Sequence, residues 1–284
     1  MTTLLFPENW LDRVEQSAIE RFLAECGGAR RSPLAWAVQT YAVEASELCW
    51  QKAYPLLDLA FPPEERRGEE DQIALAEDPD HLLILLLRDG EPEAEADRAA
   101  YADERNAQAL WAQPQHGEQA PSEGIACSGE VLGLLSLFDL QHDHWFFVEH
   151  LAIAPEGRGQ GWGSALLRAL QSWAQGRQIR LLLELEPLEA CLNLPSALAT
   201  SPQAEREARL RFYQRLGFQL LPEPWIQPPY QADREPVELR LMSWPEAVEG
   251  QALASLRQRL ARRIYRVEKA YDPSLINKAD LSVL

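Results

Sequence analysis

A short glycine-rich segment carries the clearest chemical signal in the sequence. It reads RGQGWG at residues 158–163 and directly follows an apolar stretch that ends at Ala154. Glycines lack a Cβ atom, so the backbone N–H groups of such a turn can approach an anion closely. The helix that we predict after Gly161 adds its unpaired N-terminal donors, and Arg158 adds a permanent cation. The segment therefore predicts a cradle for a phosphate or pyrophosphate group between a strand and a helix.

Neither of two familiar nucleotide-binding patterns fits this segment. The P-loop pattern GxxxxGK is absent, which argues against that class of phosphate site. The dinucleotide pattern GxGxxG, counted from Gly159, ends on Ser164 instead of a glycine. Glu184 and Glu186 nevertheless lie at roughly the right distance for a ribose contact. A dinucleotide-binding oxidoreductase therefore stays open as an alternative.

A second block, RFYQRLGF at residues 211–218, places Tyr213 in the last turn of a predicted helix that Gly217 ends. The pattern Arg158-x-x-Gly161-x-Gly163 after a strand, together with this block, resembles the coenzyme and helix-to-strand motifs of the GNAT family of N-acetyltransferases. The resemblance covers residues 36–242. It implies an acyl-CoA fold, acetyl-CoA as co-substrate, and transfer of an acetyl group to a primary amine by direct attack in a ternary complex.

The resemblance also implies a coenzyme path along the strand and the glycine turn. The pyrophosphate would lie on the turn and the pantetheine arm along the preceding strand. In one position the chain departs from the family, because Arg206 stands where many relatives have an asparagine, and Asn193 lies upstream of it. The implied coenzyme contacts are Leu151, Ala152, Ile153, Arg158, Gly159, Gln160, Gly161, Trp162 and Gly163.

Two residues are the candidate catalytic groups. Glu149 lies two residues before Leu151, so strand alternation predicts that it shares a face with Leu151 and Ile153. Because this position often carries the base in the family, the resemblance implies that Glu149 activates the amine, directly or through a water. It likewise implies that Tyr213 protonates the departing thiolate. If these groups did not act, the protein would be an acyl-CoA-binding regulatory module without turnover, which is the second alternative.

The charge balance narrows the class of partner. The 284 residues include 27 basic and 44 acidic side chains, giving a net charge of −17. Such a chain repels phosphate backbones and anionic membrane surfaces, so we expect neither nucleic acid nor membrane as a partner. A small-molecule or peptide amine with cationic character fits better. Around the predicted acceptor pocket, aromatic and acidic side chains suited to such an amine are Glu64, Glu65, Trp225 and Tyr230.

Cysteine and histidine spacing indicates no metal site. The four cysteines are scattered and no CxxC occurs, so we expect reduced thiols and no metal. The first residues lack a secretory signal pattern, and the longest apolar runs, such as Leu82–Leu87, are far shorter than a membrane span. These observations predict a cytoplasmic protein, with a homodimer as one oligomeric option.

The elements that must position these residues alternate along the chain. Strands and helices follow one another without a repeat, which predicts an α/β domain with a mixed, mostly antiparallel sheet and helices on both faces. Residues 1–35 are expected to form an N-terminal helical extension, with a helix at 8–26. Residues 36–244 form the expected acetyltransferase domain, with an acidic surface insertion at 89–124. Residues 245–284 are expected to form a C-terminal helix and tail.

Overall fold

One mixed β-sheet organises the protein. The computed structural model describes residues 2–7, 36–41, 46–88, 129–140, 144–189, 201–231 and 233–268. Strand order is β2-β1-β3-β4-β5-β6-β8-β7. The pairs β1–β2 and β5–β6 are parallel and the other pairs are antiparallel, as predicted. The described strands are β1 (Thr2–Pro7), β2 (Trp36–Tyr41), β3 (His81–Arg88), β4 (Glu130–Asp139), β5 (Trp145–Ile153), β6 (Arg180–Leu185), β7 (Gln219–Gln227) and β8 (Val237–Trp244).

Helices cover both faces of this sheet. The first and last described helices pack on one face, and the two helices that flank β6 pack on the other. Short 3₁₀ turns at Pro63–Glu65, Ala74–Glu77 and Pro155–Gly157 join some of the elements. The described helices are α1 (Ser46–Ala60), α2 (Glu69–Ile73), α3 (Trp162–Gly176), α4 (Gln203–Arg215) and α5 (Gly250–Ile264).

The sheet separates two hydrophobic cores, and β3 shows why its sequence is continuously apolar. Leu83, Leu85 and Leu87 pack into the core beneath α1 and α5. The alternate residues Leu82, Ile84 and Leu86 pack into the core beneath α3 and α4. A strand that is buried on both faces needs apolar side chains at every position, so periodicity of two is lost.

The helix after the glycine turn follows its sequence pattern closely. The helix predicted after Gly161 is α3, and the apolar residues Ala165, Leu166, Leu170 and Trp173 form its buried face. The edge of the Trp173 ring meets Phe146 of β5, with ring centroids 5.2 Å apart. This packing holds α3 against β5, the strand that precedes the turn.

Several elements differ from the sequence predictions. Residues 2–7 form a strand beside β3, which was not predicted, whereas the predicted helix at 8–26 and the insertion at 89–124 lie outside the described residues. Strand β7 continues to Gln227, although the prolines at 222–236 indicate a loop between short strands at 218–221 and 237–242. Helix α5 begins at Gly250 instead of Pro245, and it packs into the core instead of standing outside it.

The cysteine prediction fails at one position. Cys49 is fully buried on α1 and is disulfide-bonded, so its sulfur is not the free thiol that the sequence indicated. The other three cysteines lie outside the described residues.

Candidate functional site

A slot opens where β5 and β6 diverge. The two strands pair in parallel from Trp145 to Val148, and β5 then continues to Ile153 with β4 as its ladder partner. A cavity of about 430 Å³ occupies the space between the diverging strands. Because β6 no longer pairs with residues 151–153, the backbone groups on that side of β5 face the cavity.

A β-bulge in β5 produces this divergence. Ser136 of β4 pairs with His150, but the next residue, Leu137, pairs with Val148, so Glu149 is the extra residue of the bulge. A bulge bends its strand and increases the local twist, which carries the end of β5 away from β6. The bulge lies directly before the segment predicted to bind the coenzyme.

The same bulge overturns the alternation argument for Glu149. Val148, Leu151 and Ile153 all pack on the α3–α4 side of the sheet, although Val148 and Leu151 are three residues apart. Glu149 instead contacts groups on the α1–α5 side, including Tyr230, which packs against that core. The prediction that Glu149 shares a face with Leu151 and Ile153 was therefore wrong.

The glycine turn has the geometry of an anion cradle. Gly159 and Gly161 have φ values of +74° and +93°, a left-handed backbone conformation that residues with a Cβ atom rarely adopt. Residues 158–161 are exposed, and α3 begins at the next residue with its first N–H groups lacking intrahelical partners. The Nε atom of Arg158 donates to the Ile153 carbonyl at 3.0 Å. The turn and the free side of β5 thus form one continuous path.

Tyr213 lies on the wall of the cavity, near the C-terminal end of α4. Its ring meets Phe212 and Phe218 edge to face, at centroid distances of 5.0 and 5.8 Å. Burial, followed by the nearby carboxylate of Glu186, raises the pKa of Tyr213 to about 12, so its hydroxyl keeps its proton at neutral pH. Its position therefore suits a proton donor at the slot.

Arg206, on the first turn of α4, is turned away from the cavity. Its guanidinium donates to the carbonyls of Ser201 and Leu188, so it holds the chain at the entry to α4. Asn193 lies outside the described residues.

Glu149 is held in a buried ion pair. Arg67 donates to one carboxylate oxygen and Ser136 donates to the other at 2.9 Å, while the Tyr230 hydroxyl donates at 3.2 Å. Burial alone would raise the pKa of Glu149, but the charges of Arg67 and then His150 hold it well below its usual range. A carboxylate with a lowered pKa is a weak base, so these surroundings suit a structural role.

Glu149 lines the cavity together with four other described glutamates, of which Glu205 lies on the first turn of α4 and the remaining three were not identified as candidate bases. They are Glu65, which follows α1, and Glu184 and Glu186 at the end of β6. The sequence interpretation had considered Glu184 and Glu186 only as ribose contacts. The informative signal was the segment LLLELEP at residues 181–187, in which two acids interrupt an apolar strand at its C-terminal end.

Two hydrogen-bond donors hold the carboxylate of Glu184 in place. The Trp225 indole donates to it at 2.5 Å and the Tyr265 hydroxyl lies 2.7 Å from both of its oxygens. Burial raises its pKa to about 7, against the opposing effect of these hydrogen bonds. Burial, followed by the charges of Glu186 and Glu184, raises the pKa of Glu65 to about 8.

The side chains predicted to bind the acceptor take different places. Glu65 lines the cavity, whereas Glu64 forms an ion pair with Arg234 at 3.5 Å. Trp225 has no exposed surface, so it supports Glu184 and is not an open aromatic contact. Among the described residues, no cluster of histidine, cysteine, aspartate and glutamate side chains could hold a metal ion. The described helices include none that is both long and apolar enough to cross a membrane.

Comparisons with known proteins agree with this geometry. Residues 122–220 match the family model of the acetyltransferase (GNAT) domain. A GNAT-family acetyltransferase from Bacteroides thetaiotaomicron superposes with a TM-score of 0.51 at 20% identity, over 79% of this chain and 96% of that one. No curated protein matches significantly.

Two further solved structures are more distant. The ribosomal-protein-S18-alanine N-acetyltransferase from Escherichia coli shares 17% identity over 74% of this chain and 90% of its own, with a TM-score of 0.37. An acetyltransferase from Salmonella typhimurium, solved with its cofactor acetyl-CoA, shares 14% identity over 73% and 92%, with a TM-score of 0.38. The family model thus places a GNAT acetyltransferase domain at residues 122–220, and the sheet to which these residues contribute has the GNAT fold.

Proposed function

We propose that the protein is an N-acetyltransferase that moves an acetyl group from acetyl-CoA to a primary amine within a ternary complex. The observation that carries this proposal is the slot between β5 and β6, which continues into the glycine turn at the start of α3. An elongated thioester with a pyrophosphate at one end fits such a site. The family match of residues 122–220 supports the same class of reaction.

The residues present fit acetyl-CoA in both parts of the path. Backbone N–H groups of the turn, the N-terminus of α3 and the Arg158 cation suit a pyrophosphate. The free edge of β5 offers peptide groups to the amides of a pantetheine arm. The proposed contacts are Leu151, Ala152, Ile153, Arg158, Gly159, Gln160, Gly161, Trp162 and Gly163. When bound, acetyl-CoA supplies an acetyl group that is activated as a thioester.

The amine must lose a proton before or during attack, so a base must face the slot. We assign this role to Glu184. It lines the cavity one residue beyond Leu183, where β5–β6 pairing ends, and its pKa of about 7 suits proton transfer at neutral pH. The assignment of the base to Glu149 stays a prediction, but its ion pair with Arg67 favours Glu184.

Tyr213 is the proposed proton donor to the departing thiolate. Its ring lines the slot on the α4 side, across the cavity from the α1–α5 face that carries Glu184. A hydroxyl that keeps its proton at neutral pH can donate it to a sulfur that gains negative charge. The base and the acid therefore reach the slot from different sides of the sheet.

The acceptor is proposed to be a cationic small-molecule or peptide amine. Glu184 and Glu186 line the cavity, and a positively charged amine would be attracted to their carboxylates, while the protonated Glu65 carboxyl beside them can hydrogen-bond to it. The proposed setting is the cytoplasm, and the co-substrate is acetyl-CoA, with no metal.

The experiment that tests this function is acetyl-CoA-dependent release of free thiol with a panel of amines. The panel contains a diamine, a polyamine, an aminoglycoside and a peptide with a free α-amine, and Glu184→Gln is the paired variant. Turnover with at least one amine, lost in the variant, supports the proposal. Binding of acetyl-CoA without turnover on any amine would instead favour an acyl-CoA-binding module, a reading that the locked Glu149 carboxylate supports.

A further inference from the structure

The segment after α5 places a tyrosine against the proposed base. The Tyr265 hydroxyl lies 2.7 Å from each oxygen of the Glu184 carboxylate, and Tyr265 is only 6% exposed. A hydroxyl that lies equally close to both oxygens restricts rotation of the carboxylate about its last torsion. Glu184 thus has one fixed orientation at the wall of the cavity.

Several contacts fix the position of Tyr265 itself. Its neighbour Ile264 is buried in the core, and Arg67 donates from Nη2 to the Ile264 carbonyl at 3.1 Å. The Tyr230 ring packs on the Tyr265 ring with centroids 4.8 Å apart, and their hydroxyls are 3.4 Å apart. Arg67 also pairs with Glu149, so the bulge of β5 and the end of α5 are tied to the same guanidinium.

We propose that Tyr265 is a positioning residue that orients the Glu184 carboxylate toward the cavity and stabilises its ionised form. This inference rests on the proposed function of Glu184 as the base. It assigns a role to the C-terminal helix, because α5 lies outside residues 122–220 that match the family model. On this account the helix completes the acceptor side of the site.

The charges around Glu184 determine the direction of the effect. Glu65 and Glu186 line the same cavity, but the ionisation of Glu184 is opposed by its burial and then by the charge of Glu149, which lies on the same face. Arg67 and the hydrogen bonds from Tyr265 and Trp225 favour ionisation. Removing the Tyr265 hydroxyl leaves the opposing groups in place, so the carboxyl should hold its proton to a higher pH.

The test measures Glu184 directly in the free protein. The carboxyl carbon of Glu184 is followed by NMR from pH 5 to 9 in protein labelled with ¹³C-glutamate, and its signal is assigned by its loss in Glu184→Gln. Tyr265→Phe keeps the ring and removes the hydroxyl, and we expect the titration midpoint to rise by about one pH unit. Tyr54→Phe is the control, because the Tyr54 hydroxyl on α1 accepts from Arg66 and not from this network.

A midpoint that is the same in Tyr265→Phe and the wild type, with both proteins folded, would overturn the inference. If Tyr265→Phe does not fold, Tyr230→Phe gives the second measurement, because it removes a neighbour of Tyr265 and leaves the Glu184 contact. An unchanged Glu184 midpoint there supports the assignment to Tyr265, and a rise of a full pH unit contradicts it.

Turnover supplies a readout that separates this inference from the proposed function. With an acetylated amine in hand, the ratio of kcat/KM for Tyr265→Phe to wild type should be roughly one fifth at pH 7 and near one at pH 9. A ratio that does not change with pH contradicts the inference, whereas absent turnover in the wild type contradicts the proposed function alone.

Discussion

Glu149 and Glu184 lie on the same side of the sheet, but their surroundings differ. Both line the cavity, but Glu149 forms a buried ion pair with Arg67, whereas Glu184 receives hydrogen bonds from two neutral donors. A buried ion pair fixes the carboxylate in its charged state, and neutral donors leave it able to accept a proton. This difference is the reason for proposing Glu184, and not Glu149, as the base.

Substitution of each glutamate by glutamine separates the two candidates. Glu184→Gln should lower kcat by ~10²-fold or more with little change in acetyl-CoA affinity. Glu149→Gln leaves Arg67 buried without its countercharge, so the free energy of unfolding should fall by about 3 kcal/mol. Steady-state kinetics and urea denaturation measure both effects. A larger loss of kcat in Glu149→Gln than in Glu184→Gln, in folded protein, would return the base to Glu149.

Tyr213→Phe tests the proton donor on the other side of the slot. The ring and its contacts with Phe212 and Phe218 survive, so we expect an unchanged Tm. The hydroxyl serves mainly the transition state, so acetyl-CoA affinity should stay near wild type while kcat falls by ~10²-fold. Calorimetry and steady-state kinetics provide these values. Full activity at unchanged stability would show that Tyr213 only packs and that water protonates the thiolate.

The raised pKa of Glu65 predicts how stability depends on pH. In the folded protein Glu65 holds its proton up to about pH 8, whereas in the unfolded chain it loses it near its ordinary value of 4.5. Between these values the unfolded state binds fewer protons, so this group makes the protein less stable as pH rises.

Glu65→Gln removes this penalty and should therefore stabilise the protein at high pH. We expect the free energy of unfolding to rise by about 1 kcal/mol or more at pH 8, or roughly 2–4 °C in Tm, with little gain at pH 5. Glu64→Gln, next to it in the chain, is the matched control. An equal gain at both pH values would show that the charge of Glu65 is not the cause.

The proposed binding of pyrophosphate at the turn before α3 depends more on the glycines of the turn than on its side chains. Gly161→Asp adds a carboxylate where the pyrophosphate is proposed to lie, at a residue with φ +93°. We expect acetyl-CoA binding to fall below detection in isothermal titration while the protein stays folded. Gly250→Asp is the matched control, because Gly250 also has a positive φ at the start of a helix but lies outside the glycine turn. Equal affinities in Gly161→Asp and the control would contradict the assignment of the turn.

The sequence predicts an element well when residues close together in the chain determine it, and poorly when contacts between distant residues do. Three features follow from short-range patterns, and each was predicted correctly. They are the helix after Gly161, the glycine turn before it, and the end of α4 at Gly217. The family resemblance implies a bulge in this strand, but its position at Glu149 was not predicted, because it depends on the register between β5 and β4, which no local pattern specifies. Because the bulge shifts the alternation of side chains along β5, Glu149 faces the α1–α5 side of the sheet instead of the side predicted for it.

Contacts between distant parts of the chain were equally inaccessible to the sequence. Arg67 lies 82 residues from Glu149 and 197 residues from Ile264, yet it binds both. Tyr265 lies 81 residues from Glu184. The contacts of Ile264 and Tyr265 depend on how the end of α5 packs on the sheet, and for this part of the chain the sequence predicted only a helix and a tail.

At the scale of the whole molecule, one sheet has central strands that separate at the proposed coenzyme slot. The slot and the turn suit coenzyme A, and the glycine register does not suit a dinucleotide. The protein should therefore bind coenzyme A in preference to a dinucleotide. Isothermal titration of the full chain with acetyl-CoA, coenzyme A and NADH tests it. We expect acetyl-CoA and coenzyme A to bind with one site per chain and NADH not to bind. Binding of NADH alone, or of none of the three, would contradict the account.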